Sequence, residues 1–119
     1  MTFPAVFQLS SLNGTNGFFI NGINSGDQSG FSVSNAGDVN GDGFDDLIVG
    51  APESNVNGGN SGQSYVIFGK SSGFGTSFNL SSLNGSNGFA INGLDFGDYS
   101  GRSVSSAGDV NGDGFDDII

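Results

Sequence analysis

The chain has 119 residues, 23 of them glycine, with two basic against twelve acidic side chains, a net charge of −10, and no Cys, His or Trp. Disulfide frameworks, Cys/His zinc sites, thiol enzymes and imidazole-dependent triads are excluded because their atoms are missing, and Lys70 and Arg102 alone cannot bind nucleic acid by counterion release. No run of about 18 apolar residues exists to insert into a membrane, and the opening MTFPAVFQLSSLNG lacks the basic and then apolar layout of a secretory signal.

Twelve phenylalanines in short clusters, divided by Gly, Asn and Ser turns, predict an all-β chain of short strands. The first, residues 18–23, alternates and then turns at 24–26. Residues 31–36 alternate again and lead into an acidic loop. Residues 46–51 come next, where Leu47, Ile48 and Val49 form the continuous apolar run of a strand covered on both faces. Pro52 ends that strand, a polar loop occupies 53–62, and residues 64–68 (SYVIF) supply the next strand. A connection through 69–77 leads to residues 89–94, where the cycle reopens. No segment shows helix periodicity with capping signals. The coarse architecture is an antiparallel four-stranded sheet, repeated.

Residues 7–48 align without gaps on 78–119, a shift of 71, and only ten of those 42 positions differ. A period of this size indicates a solenoid, propeller or array, whose units bury their faces by stacking. The expected organisation is repeat one at 7–77 and repeat two at 78–119, the second truncated within a strand that the first continues through Pro52.

The densest chemistry lies in DVNGDGFDD, at 38–46 and again at 109–117, which holds eight of the twelve acidic residues. Oxygen ligands at loop positions 1, 3, 5 and 9, a backbone carbonyl at 7 and Gly at 6 suit a hard cation of Ca²⁺ size. Asp38, Asn40, Asp42, the Phe44 carbonyl and Asp46 fill those places, as do Asp109, Asn111, Asp113, the Phe115 carbonyl and Asp117. The expectation is about one Ca²⁺ per loop. A plain Asn-Gly or Asp-Gly hairpin accounts for one or two acidic residues, not four at ligand spacing in both copies. Mg²⁺ prefers to keep several waters, and an EF-hand needs a bidentate acid at position 12, where Val49 stands. The nonapeptide period of calcium-binding β-rolls is absent.

Asp27 and Asp98 hold equivalent places in GDQSG and GDYSG and are expected to make Asx-turns, the alternatives being acceptors beside a metal's ligands or further metal ligands. Carboxylates committed to a cation stay ionised and cannot share out acid and base roles, and no GxSxG elbow or imidazole is present. The chain is therefore read as noncatalytic.

At GDVNGDGFDDLIVGAP, residues 37–52, the sequence closely resembles the FG-GAP repeat of integrin α-chain β-propellers and their bacterial relatives. The resemblance implies a β-propeller fragment of four-stranded antiparallel blades, fewer than two of them present. It places the inner strand at 31–36, the second at 46–51, the third at 64–68 and the outer one at 89–94. Ca²⁺ would sit in the loop between the first two strands. The family's Phe-Gly is Ser29-Gly30 and Ser100-Gly101 here, with Phe18, Phe19 or Phe89 as candidates for the missing ring's volume. The implied setting is extracellular or at the cell surface, with further blades in a parent chain. The implied partner is a protein or glycan ligand met through loops such as 53–62. Within the same family, the alternative is an accessory propeller of an enzyme whose catalytic domain lies elsewhere in the parent chain.

Overall fold

The computed structural model describes residues 2–119. Its strands are β1 (Phe19–Asn21), β2 (Ser32–Gly37), β3 (Asp46–Ala51), β4 (Gln63–Ile67), β5 (Ser77–Asn79), β6 (Gly88–Asn92), β7 (Ser106–Gly108) and β8 (Asp117–Ile118). Strands β2, β3, β4 and β6 form one antiparallel sheet in that order, so the expected four-stranded unit is present, with β3 at the bounds read in the sequence and the other boundaries one or two residues away. β7 and β8 pair antiparallel as β2 and β3 do. One pairing departs from the expected antiparallel scheme: β1 runs parallel to β5, Phe19 to Asn21 opposite Ser77 to Asn79. β5 begins at the last residue of the stretch read as a connection, and its three residues are too short for alternation to register. Two three-residue 3₁₀ turns, Leu9–Ser11 and Leu80–Ser82, open the two copies of LSSLNG.

The apolar run in β3 is covered on both sides. Val49 joins Ala51, Tyr65, Ile67, Phe78 and Leu80 in one core, while Ile48 joins Ala36 and Val66 in the other. This division reflects the register, Val49 opposite Tyr65 and Ile48 opposite Val66, because successive side chains leave a strand on opposite faces. Tyr65, Ile48, Ile67, Leu80 and Val66 are the largest fully buried apolar side chains, each worth about 1.5–3 kcal/mol relative to exposure for the aliphatic ones.

Phe18 stacks on Phe74 at 4.6 Å beside the first core. Phe89 meets Phe68 edge-on at 5.9 Å beside the second, and Phe19 is exposed. The hydroxyl of Ser29, at the family's Phe position, is buried without a hydrogen-bond partner. It lies so near Gly22 that a Cβ there would approach it to 2.8 Å.

The β7–β8 hairpin and the segment leading into it dock on the second core through Val104 and Ile118. Ser32 Oγ donates to the Gly101 carbonyl at 2.7 Å, and Gly62 bridges Ser100 in parallel. Gly50 is required at this contact, since a Cβ would overlap the Gly101 carbonyl oxygen. Among the described residues no helix is long and apolar enough to cross a membrane.

Candidate metal centre

Both acidic loops sit at the same end of a β-hairpin, and each is entered through a register shift, at Asn35 to Gly37 and at Ser106 to Gly108. Such a bulge bends the strand and re-aims the residues beyond it. A side chain from the preceding strand secures it in each copy. Asn35 Oδ1 accepts from the Gly37 amide at 2.6 Å, and Ser106 Oγ accepts from the Gly108 amide at 3.1 Å.

Within the first loop, Asp38 organises the backbone. Its Oδ1 accepts from the amides of Gly41 and Asp42 at 2.7 and 3.0 Å, and its Oδ2 from Gly43 at 2.9 Å. Asn40 Oδ1 accepts from the Asp42 amide, and Asp42 Oδ1 from the Phe44 amide. Gly41 and Gly43 take the positive φ values, 75° and 88°, that this tight path requires. The second loop repeats the scheme. Asp109 accepts from Gly112, Asp113 and Gly114 at 2.7, 3.0 and 2.9 Å, Asn111 from Asp113, and Asp113 from Phe115.

Asp46 closes the first loop from inside the protein. It is fully buried, and its two oxygens accept from the amides of Val39 at 2.9 Å and Gly69 at 2.8 Å. Burial pushes its carboxyl above the usual carboxylate range, the two amides oppose that, and the charges of Asp42 and Asp38 add to it. Its counterpart Asp117 accepts from Val110 at 2.9 Å and, at its other oxygen, from Asn111 Nδ2 at 3.4 Å.

The two loops touch. The Asp116 amide donates to the Asp38 carbonyl at 3.1 Å, and Asp116 Oδ2 accepts from the Asp38 amide at 2.9 Å. Gly37 and Gly41 lack the Cβ atoms that would overlap the Asp116 carboxylate and the Phe115 ring.

Among the described residues no three acidic side chains converge on one point as a ready-made metal cluster. The donor set nevertheless suits a hard cation: every candidate ligand is oxygen, and Asp38 Oδ2, Asp42 Oδ1 and both oxygens of Asp46 each keep a lone pair beyond a single amide bond. The spacing in sequence names the loop residues. It gives no sign of the Gly69 amide, which arrives from beyond β4, or of the grip of Asp116 on Asp38, which depends on how the copies stack. Asp27 and Asp98 serve their own turns, accepting from Asn24 and from Leu94 and Asp95 respectively.

A four-stranded antiparallel blade with an acidic loop between its first two strands is the arrangement of FG-GAP propellers. The family model described as FG-GAP repeat matches residues 29–67 and 100–119. Mouse integrin alpha-2 is 38% identical over 89 residues, 75% of this chain and 7% of that protein. Integrin alpha ina-1 of Caenorhabditis elegans is 50% identical over 54 residues, 43% of this chain and 5% of that protein. The chain belongs to the FG-GAP repeat proteins and is similar to integrin α chains. It spans less than a tenth of the length of either relative. The structure is thus one propeller blade, β2-β3-β4-β6, succeeded by the first hairpin of a second.

Proposed function

We propose that this chain is a noncatalytic calcium-binding propeller segment that meets a protein or glycan ligand through its loops, in an adhesive protein outside the cell or on its surface. Its divisions are 7–77 and 78–119, and further blades belong to the same parent chain. The observation that carries the reading is the identical amide scheme of Asp38 and Asp109, which builds the same oxygen-lined loop twice. The proposed ligands are Asp38, Asn40, Asp42, the Phe44 carbonyl and Asp46, with Asp109, Asn111, Asp113, the Phe115 carbonyl and Asp117 in the second copy. What a bound Ca²⁺ supplies is charge neutralisation: each loop carries four carboxylates within nine residues, whose mutual repulsion opposes the turn. The similarity to integrin α chains supports the adhesive role.

Calorimetric titration tests this reading. Extracellular modules bind Ca²⁺ at about 10⁻⁴ to 10⁻³ M, and a tenfold excess over Kd stabilises by about 1.4 kcal/mol per site. Two saturable sites are expected, one lost in Asp42→Ala and the other in Asp113→Ala. A double variant that titrates like the parent chain overturns the assignment.

A further inference from the structure

Of the ten positions at which the two copies differ, five (23/94, 24/95, 25/96, 28/99 and 31/102) fall within one nine-residue loop, and the other five are spread over the remaining 33 positions. This loop precedes β2 and β7, at the strand end away from the acidic loops. Stacking of the copies brings its two versions side by side, where Gln28 and Phe31 of the first, Tyr99 and Arg102 of the second, and Pro52 and Glu53 after β3 line a pocket of about 250 Å³. Both pairs of equivalent residues in that wall are divergent positions: Gln28 answers Tyr99, and Phe31 answers Arg102.

The wall is held rigidly. The amides of Gly97, Tyr99 and Ser100 donate to the carbonyls of Gly59, Asn60 and Ser61 at 3.0, 2.9 and 3.1 Å, and Asn60 Nδ2 donates to the Tyr99 hydroxyl at 3.0 Å. Gln28 and Tyr99 both sit at positive φ, 57° and 52°, a conformation that glycine adopts freely and a bulky side chain does not. Each copy thus places a bulky side chain, Gln in one and Tyr in the other, where glycine would be free of strain, and such strain is found at functional sites. Among the described residues, neither the Arg102 guanidinium nor the Glu53 carboxylate has a hydrogen-bond or ion-pair partner, although both line this pocket.

We infer that this inter-copy pocket is a recognition subsite for an acidic side chain of a protein partner. Arg102 takes the carboxylate, Phe31 and Tyr99 flank its apolar stem, and Glu53 accepts from a neighbouring N–H of the same segment. A guanidinium presents the planar fork that fits a carboxylate, and aromatic residues with Arg are the composition of protein-binding centres. The pocket holds one or two side chains, smaller than the about 300–1,000 Å³ typical of small-molecule sites. The inference rests on the loop-mediated binding proposed above and names where and what it binds.

The test is titration of the ¹⁵N-labelled chain, with and without Ca²⁺, using N-acetyl-Gly-Asp-Gly-amide, its Gly-Asn-Gly counterpart and glucuronic acid. Saturable shifts of the Phe31, Tyr99 and Arg102 amides are expected with the Asp peptide alone. Affinity should be at least tenfold weaker in Arg102→Gln, with Arg102→Lys between, while Ile48 and Val66 signals report an intact fold. No localised shifts, equal binding by Arg102→Gln, or tighter binding of glucuronic acid, which would assign the pocket to glycans, each overturns the proposal. Peptide shifts with no calcium binding would sink the calcium reading alone. Calcium binding without peptide shifts would sink this subsite alone.

Discussion

Tyr65 shows how one residue ties the blade's interior to its polar edge. Its ring is buried in the first core, and its hydroxyl donates to Gln63 Oε1 at 2.8 Å, an atom that also accepts from Ser54 Oγ at 2.6 Å. Burial, and then the charge of Asp27, push the phenol above its ordinary value of 10.0. The folded chain therefore keeps this proton to higher pH than the unfolded chain does. The contribution to stability is whole below about pH 10 and is lost as pH rises through the raised folded value. Urea unfolding is expected to show stability falling above about pH 10, with Tyr65→Phe removing that part of the fall. At neutral pH the variant should lose about 1 kcal/mol for the hydrogen bond. If the phenolate absorbance difference between parent and Tyr65→Phe titrates at the ordinary value, the burial argument fails.

At the scale of elements, β3 carries the fold, and its pattern is the part most legible in the sequence. Leu47, Ile48 and Val49 announce a strand with two covered faces, and Pro52 announces its end. The DVNGDGFDD loop is equally plain, because Asx and Gly chemistry acts within a few residues and is written contiguously. The parallel β1–β5 pair and the Gly69 amide on Asp46 are not legible there, since each depends on partners 58 and 23 residues apart. The three Phe candidates for the family's missing ring also cannot be ranked from sequence, because ring packing is decided by neighbours such as Phe74 and Phe68. Gly50 belongs to the same class. In β3 it reads as a weak strand residue, yet it is the point where the second copy's Gly101 carbonyl comes closest. Gly50→Ala should push the segment leading into β7 away from the blade, costing about 1–3 kcal/mol by overpacking. Hydrogen exchange should then quicken at Ser105 and Ile119, whose mutual bonds close the second hairpin, while β3 and β4 stay protected. Unchanged exchange at those amides would show that the contact does not hold the second hairpin to the blade.

The molecule as a whole is extended for its length, with a radius of gyration of 15.1 Å and extents of 45 × 38 × 26 Å, against about 13.5 Å for a compact domain of this size. The β7–β8 hairpin meets the four-stranded blade through few elements, so the link between the two acidic loops bears on the proposed cation binding. Asp116 holds both backbone groups of Asp38, the first residue of the first loop. Phe115, whose carbonyl is a proposed ligand of the second loop, lies against Gly41 of the first. A cation that orders the second loop therefore orders residues that position the first. Coupling of this kind is reciprocal in binding free energy and typically about 1–3 kcal/mol. We expect Asp113→Ala to weaken calcium binding at the first loop by about fivefold or more, the lower end of that range, as tracked by the Gly41 and Gly43 amide signals. Asp116→Ala should leave both loops able to bind but with weaker coupling, because it removes the carboxylate that receives the Asp38 amide, keeps the backbone bond to the Asp38 carbonyl and substitutes no proposed ligand. If the first loop binds Ca²⁺ within about twofold of its parent affinity in Asp113→Ala, well short of that coupling range, the two sites are independent and the Asp116 contact is structural alone.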